Sequence, residues 1–198
     1  MDKHIIFHVE GGIGKNIMAT AVAEAISKAH PDRKLIVVSS WAAAWVNNPH
    51  IERFYLIGGT PYFFEDYIKG KDTWIFKSEP YHHQDFLNGK RYLADIWCEQ
   101  LGVPYNDEMP TLVLSKNEKD NMARKLRGFG KPIFALQTNG GGPQDYPVSW
   151  VRDVPLSNIE EVIKEVSKEY KIIHIRREDQ LEIPGVDFIQ TPNVRDLF

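Results

Sequence analysis

Glu10-Gly11-Gly12-Ile13-Gly14-Lys15-Asn16 follows the apolar run Ile5-Ile6-Phe7 with Val9. A second glycine-rich stretch, Gln137-Thr138-Asn139-Gly140-Gly141-Gly142-Pro143, follows Pro132-Ile133-Phe134-Ala135-Leu136. Each puts glycines where a buried strand hands over to a helix. Glycine lets a backbone come close to a ligand, and a helix opening there offers unpaired N–H groups and a positive dipole end to an anion such as phosphate. Two such junctions predict an α/β chain of two Rossmann-like, parallel-sheet domains facing a shared cleft.

Working outward from the first junction, Ile17, Met18, Ala21, Val22, Ala25 and Ile26 recur at helical spacing until His30-Pro31-Asp32 ends the helix. Leu35-Ile36-Val37-Val38 is a continuous apolar strand, and Phe54-Tyr55-Leu56-Ile57 and Trp74-Ile75-Phe76 follow. Tyr92, Leu93, Ile96, Trp97 and Leu101 mark a helix that stops at Gly102, and Val103-Pro104 opens a loop toward a further strand-like run, Thr111-Leu112-Val113-Leu114. A charged helix is expected from about Asn117 to Leu126. Arg127-Gly128-Phe129-Gly130-Lys131 is the predicted linker, dividing the chain into domains 1–128 and 129–198. In the second, a helix carrying Ile159, Val162, Ile163 and Val166 leads to strands at 172–175 and 187–190. Residues 193–198 read as the first turn of a helix, and so short a second domain is expected to be incomplete, truncated at its C-terminal side.

Over 198 residues the chain is 42% hydrophobic and 26% charged, which is globular rather than disordered composition. A net charge of -3 with acids and bases interleaved gives no field for nucleic acid, so any anionic ligand must be held locally. One cysteine, Cys98, on the apolar face of a helix, excludes an internal disulfide and reads as inert filler. The start carries no signal-peptide pattern and no apolar stretch is long enough to span a bilayer. A cytoplasmic protein is expected, with peripheral membrane contact left open.

The stretch from Gly12 to Val38, with Gly12-Ile13-Gly14-Lys15-Asn16 at its head and His30-Pro31-Asp32-Arg33-Lys34 near its end, resembles the opening of the family 9 glycosyltransferases, which include the lipopolysaccharide heptosyltransferases. Asn48-Pro49-His50-Ile51-Glu52-Arg53 is similar to the Asn-Pro segment after that family's second strand. Residues 152–163, from Arg152-Asp153-Val154-Pro155, look like its basic-x-Trp-Pro segment and the helix behind it. Thr191-Pro192-Asn193-Val194-Arg195-Asp196-Leu197-Phe198 is similar to the segment before the last donor-binding elements. The likeness runs along nearly the whole chain.

The resemblance implies a GT-B architecture, with an acceptor-side first domain and a second domain that binds a nucleotide-sugar. It implies transfer of a heptose-like or hexose sugar from a nucleotide-diphosphate donor to a glycan or lipid-linked, lipopolysaccharide-type acceptor, without metal or cofactor. A base would activate the acceptor hydroxyl, and helix dipoles with a basic side chain would meet the departing diphosphate. One position departs from the family: where it has an Asp after the loop glycine, this chain has Lys15, which with an ordinary pKa is protonated and takes no proton. Glu10 is the nearest replacement carboxylate, and Asp145, on the second glycine-rich loop, is a third candidate. A Lys15–Glu10 pair is equally open to a structural and a catalytic reading. Gly12, Gly14 and Asn16 in the first loop, and Gln137, Thr138, Asn139, Gly140, Gly141 and Gly142 in the second, are the expected ligand contacts. Arg152 matches the family's diphosphate-contacting lysine and keeps its charge.

Other features weigh less. His82-His83 beside Tyr81 and Asp85 offers no recognised metal-ligand spacing, since adjacent histidines point apart. Trp41, Trp45, Tyr62, Phe63, Phe64 and Tyr67 fit a core better than a sugar-stacking groove, and His8 reads as a packed strand residue. Gly11-Gly12-Ile13-Gly14-Lys15 also resembles a deviant Walker A loop of ParA-like ATPases, but Asn16 stands where a magnesium-binding Ser or Thr is needed. A non-catalytic, transferase-like carbohydrate-binding protein is the remaining alternative.

Overall fold

A computed structural model describes residues 2–139, 153–176, 178, 180, 182–189 and 193–197. They fall into two compact units, Met1–Ser115 and Lys116–Phe198.

In the first unit the strands β1 (Lys3–Val9), β2 (Lys34–Ser39), β3 (Arg53–Leu56) and β4 (Asp72–Phe76) form one all-parallel sheet in the order β3-β2-β1-β4. The continuous apolar character of β1 and β2 has its cause here, because both are inner strands covered on both faces. On one face, Ile5, Phe7, Val9, Leu35 and Val37 pack against helices α1 (Ile13–Ala29) and α4 (Leu93–Leu101). Alanines at 19, 21, 23 and 25 let α1 lie close on the sheet, and the rings of Trp45 and Trp97 meet Phe7 edge-on at 6.5 and 5.5 Å. Removing such a buried ring costs about 3–5 kcal/mol, against about 0–1 for an exposed ion pair, so this packing rather than the many surface charges holds the unit together. On the other face, Ile6 and Ile36 meet Tyr67 and Phe63 of the short helix α2 (Phe63–Tyr67). After a one-turn helix, α3 (Gln84–Leu87), α4 ends at Gly102, whose left-handed φ of 68° lets its N–H cap the last turn through Glu99 O.

The expected strand at Thr111-Leu112-Val113-Leu114 does not form. Thr111 N–H is taken by Thr20 Oγ1 at 2.8 Å instead of by a strand, Pro104 and Pro110 supply no donors, and Leu112 simply packs against the core.

The second unit holds α5 (Lys116–Lys125), β5 (Ile133–Leu136), α6 (Leu156–Val166), β6 (Lys171–Ile175) and β7 (Asp187–Ile189), with the sheet parallel throughout in the order β5-β6-β7. Ile159 of α6 is buried, as are Ile172 and Ile173 of β6. The division of the chain falls between Ser115 and Lys116, ahead of the linker expected at residues 127–131. The reason is α5: Glu118 binds Arg195 at 2.5 and 3.0 Å and Lys125 reaches Asp196 at 3.3 Å, tying that charged helix to a short 3₁₀ turn at Val194–Leu197.

Candidate functional site

The chain leaves β1 over one face of its sheet through α1, runs to β2 and β3, and returns over the opposite face through α2 to β4 on the far side of β1. The connections therefore part at the carboxyl ends of β1 and β4. That is the topological switch point, where open parallel sheets bind ligands. Glu10 follows β1 there, Lys77 and Glu79 follow β4, and Trp41, 40% exposed, follows β2. Trp41 N–H rests on Ser39 Oγ at 3.1 Å, and Ser40 N–H binds Val9 O at 3.2 Å, so this end of β2 is fastened to β1.

Glu10 does not pair with Lys15. Its Oε1 accepts from Lys77 Nζ at 2.8 Å and lies 3.5 Å from His8 Nε2. The Lys77 hydrogen bond and charge hold the Glu10 carboxyl below the ordinary glutamate value of 4.5, so it is ionised at neutral pH. His8 is held below the ordinary histidine value, first by burial and then by the Lys77 charge. Lys15 turns the other way: its Nζ binds Glu79 Oε2 at 2.5 Å and stands 5.4 and 5.6 Å from the ring centres of Trp97 and Tyr81, leaving its side chain 10% exposed. The first pair ties the loop after β1, and the second the first turn of α1, to the loop after β4. Gly11 makes room for this, with φ +101° and a position where an added Cβ would stand 3.2 Å from Lys15 Cδ.

Asn16, expected as a ligand contact, is fully buried and spent inside the protein. Its Nδ2 donates to Gly12 O at 3.0 Å, and its Oδ1 accepts from Trp45 Nε1 at 3.3 Å. It fastens the loop instead of facing a ligand, because α1 turns that position toward the core. Gly12 and Gly14 are exposed with open space where side chains would be, so the uncapped start of α1 is accessible from outside.

In the second unit, Gln137, Thr138 and Asn139 follow β5. Thr138 O accepts from Val154 N–H at 2.9 Å, Thr138 Oγ1 lies 2.9 Å from Asn139 Oδ1 and 2.9 Å from His174 Nε2 of β6, and Gln137 Nε2 reaches Asn139 O at 3.4 Å. Thr138 and Asn139 are buried while Gln137 is exposed. Gly140, Gly141, Gly142, Asp145 and Arg152 lie outside the described residues.

Among the remaining candidates, His83 caps α3, its Nδ1 accepting from Asp85 N–H at 3.2 Å, and no group of three or more metal-ligating side chains gathers among the described residues. The aromatic set divides: Trp45 and Tyr67 are core, Phe63 is half-buried, and Trp41, Tyr62 and Phe64 are exposed. Burial pushes the Cys98 thiol up to about 12, which leaves it unreactive. Lys77 and Glu79 escaped the sequence reading, although their place directly after a strand ending at Phe76 is the signal that could have found them.

No sequence profile of a known protein family and no curated protein sequence matches the chain. Solved structures do. A glycosyl transferase family 9 protein from Veillonella parvula DSM 2008 is similar at a TM-score of 0.63 and 15% identity, over 88% of this chain and 63% of that one. The ADP-heptose lps heptosyltransferase II of E. coli is similar at a TM-score of 0.57 and 11% identity, over 88% of this chain and 65% of that one. The chain thus spans less than two thirds of the length of either. Likeness at this identity is likeness of fold: the parallel-sheet architecture built here is the one these GT-B-like glycosyltransferases share.

Proposed function

We propose that the chain serves a glycosyltransferase, moving a sugar from a nucleotide-diphosphate donor to a saccharide acceptor, with the first unit holding the acceptor and the second the donor. The observation that carries this reading is Glu10: an ionised carboxylate at the switch point of the first sheet, in a fold shared with glycosyltransferases. Glu10 takes the proton of an acceptor hydroxyl as the hydroxyl oxygen attacks the anomeric carbon. The bond from that carbon to the diphosphate breaks as the new one forms. Asn139, with Gly140, Gly141, Gly142 and Arg152 as the further expected contacts, meets the charge left on the diphosphate. Trp41 offers an exposed ring on which an acceptor sugar stacks.

Lys15 has no part in proton removal in this scheme. Its bond to Glu79 keeps the glycine loop in place, and the same bond leaves its Nζ unavailable as a Walker-type phosphate ligand. The loss of the family's Asp to a lysine drawn inward favours one second reading, a carbohydrate-binding protein without turnover. The experiment that separates them measures nucleoside diphosphate released from ADP-heptose and from hexose nucleotides, with lipopolysaccharide-core saccharides as acceptors. Acceptor-dependent release that disappears in Glu10→Gln is expected. Saccharide binding with no release establishes the second reading, and release unchanged in Glu10→Gln removes Glu10 as the base.

A further inference from the structure

His174 stands in β6, the middle strand of the second sheet, at 1% exposure, and the transfer scheme gives it no task. Its Nε2 lies 2.9 Å from Thr138 Oγ1, which lies 2.9 Å from Asn139 Oδ1. A threonine hydroxyl has a single proton to give, so when it donates within this short chain two polarities are open. In one, His174 Nε2–H donates to Thr138, Thr138 donates to Asn139 Oδ1, and the Asn139 amide nitrogen is left over as a donor. In the other, every bond is reversed, the Asn139 amide is turned over, and a carbonyl oxygen is left over instead. The state of one buried ring thus decides which end of the Asn139 amide, nitrogen or oxygen, is left outside the chain at the head of the second glycine-rich loop.

Two observations choose between them. Burial and the nearby Arg176 charge hold the ring below the ordinary histidine value, so at neutral pH it is uncharged and carries one N–H. His174 Nδ1 is buried with no hydrogen-bond partner among the described residues. A bare lone pair is tolerated there more readily than an orphaned N–H, which puts the proton on Nε2.

We infer that His174 is a positioning residue: its Nε2–H tautomer polarises the His174–Thr138–Asn139 chain so that Asn139 presents its amide N–H to the diphosphate of a nucleotide-sugar. The ligand half of this inference rests on the transferase reading above; the tautomer half does not. Two-bond ¹H–¹⁵N correlation spectra of the full chain, labelled at histidine, report the ring state directly. A neutral Nε2–H ring at pH 7.5 is expected, and an Nδ1–H or doubly protonated ring overturns the inference whatever the protein binds. Calorimetry with ADP, GDP and UDP then tests the ligand half. Thr138→Val, which keeps the shape and breaks the chain, is expected to weaken binding about tenfold, the equivalent of one hydrogen bond. Asn139→Asp, which replaces the donor by an anion, is expected to weaken it further, while His174→Gln, which can return an N–H near the Nε2 position, stays within about threefold of the parent chain. Unchanged affinity in both Thr138→Val and Asn139→Asp refutes the ligand half. Absence of binding by the parent chain overturns the transferase reading together with that half, and the ring spectrum still decides the polarity.

Discussion

The two glycine-rich junctions answer the same structural demand, a strand giving way to a helix, with opposite means. The first is braced by charge: Glu10–Lys77 and Lys15–Glu79 tie the loop after β1 and the first turn of α1 to the loop after β4, and Asn16 pins the turn through Gly12 O. In the described part of the second, the bracing is uncharged: a threonine, an asparagine and a neutral histidine, closed by the Val154 N–H on Thr138 O. A junction built on a carboxylate suits taking up a proton, and one built on polarised neutral groups suits receiving an anion. A shared sequence pattern therefore marks where a strand gives way to a helix and leaves the chemistry of the junction to the neighbours of the glycines.

The sharpest way to break that contrast is Glu10→Gln. Positioned general bases contribute roughly 10²- to 10⁴-fold, so kcat should fall by that factor while nucleotide affinity, assigned to the other junction, stays as it was. A drop in affinity with kcat preserved would reverse the assignment of the two junctions. Next in size is Lys15→Asp. Because Lys15 is tucked against Glu79 and two aromatic rings, the new carboxylate faces another carboxylate, and stability should fall by about 1–3 kcal/mol in urea titrations without a gain in turnover. An active, equally stable Lys15→Asp protein would show the brace to be dispensable. The smallest effect is expected of Lys77→Met. With Lys77 present the Glu10 carboxyl titrates below 4.5, so the acid limb of kcat lies below that pH; removing the lysine lets the carboxyl rise, and the limb moves to higher pH. An unmoved limb in the pH–rate profile would mean that another group supplies it.

Much of this architecture is legible in the residues. Ile5-Ile6-Phe7 and Leu35-Ile36-Val37-Val38 are apolar without alternation because they are inner parallel strands covered twice, and that pattern survives any uncertainty about their neighbours. Thr111-Leu112-Val113-Leu114 has similar composition and forms no strand, because what its backbone bonds to is settled by Thr20, a residue remote in sequence. The same limit governs the site. That Glu10 ends a strand beside a glycine turn follows from local order; that Lys77 rather than Lys15 is its partner follows from β4 lying next to β1, which no local pattern encodes. Asn16 was read as a ligand contact from its place in a motif, and the rotation of α1 turned it inward. His174 carries no local signal, since a histidine in an apolar strand acquires meaning only from Thr138, just beyond the end of the neighbouring strand.

Arg33 bears on how the first unit assembles. Its guanidinium lies 3.6 Å from the Trp74 ring centre and binds Asp72 at 2.7 Å through the carboxylate and 3.1 Å through the backbone carbonyl, while β4 itself pairs so that residue 3 faces residue 72. Pairing of β1 with β2 spans only α1, whereas β4 must close a far longer loop, so the entropic cost of chain closure places its docking late. Arg33, standing at the entry to β2, belongs to the part built first and waits there as a hook for the strand that arrives last. Interactions formed after the rate-limiting step act on the escape from the native state, so this contact governs how long the folded unit lasts rather than how quickly it is reached.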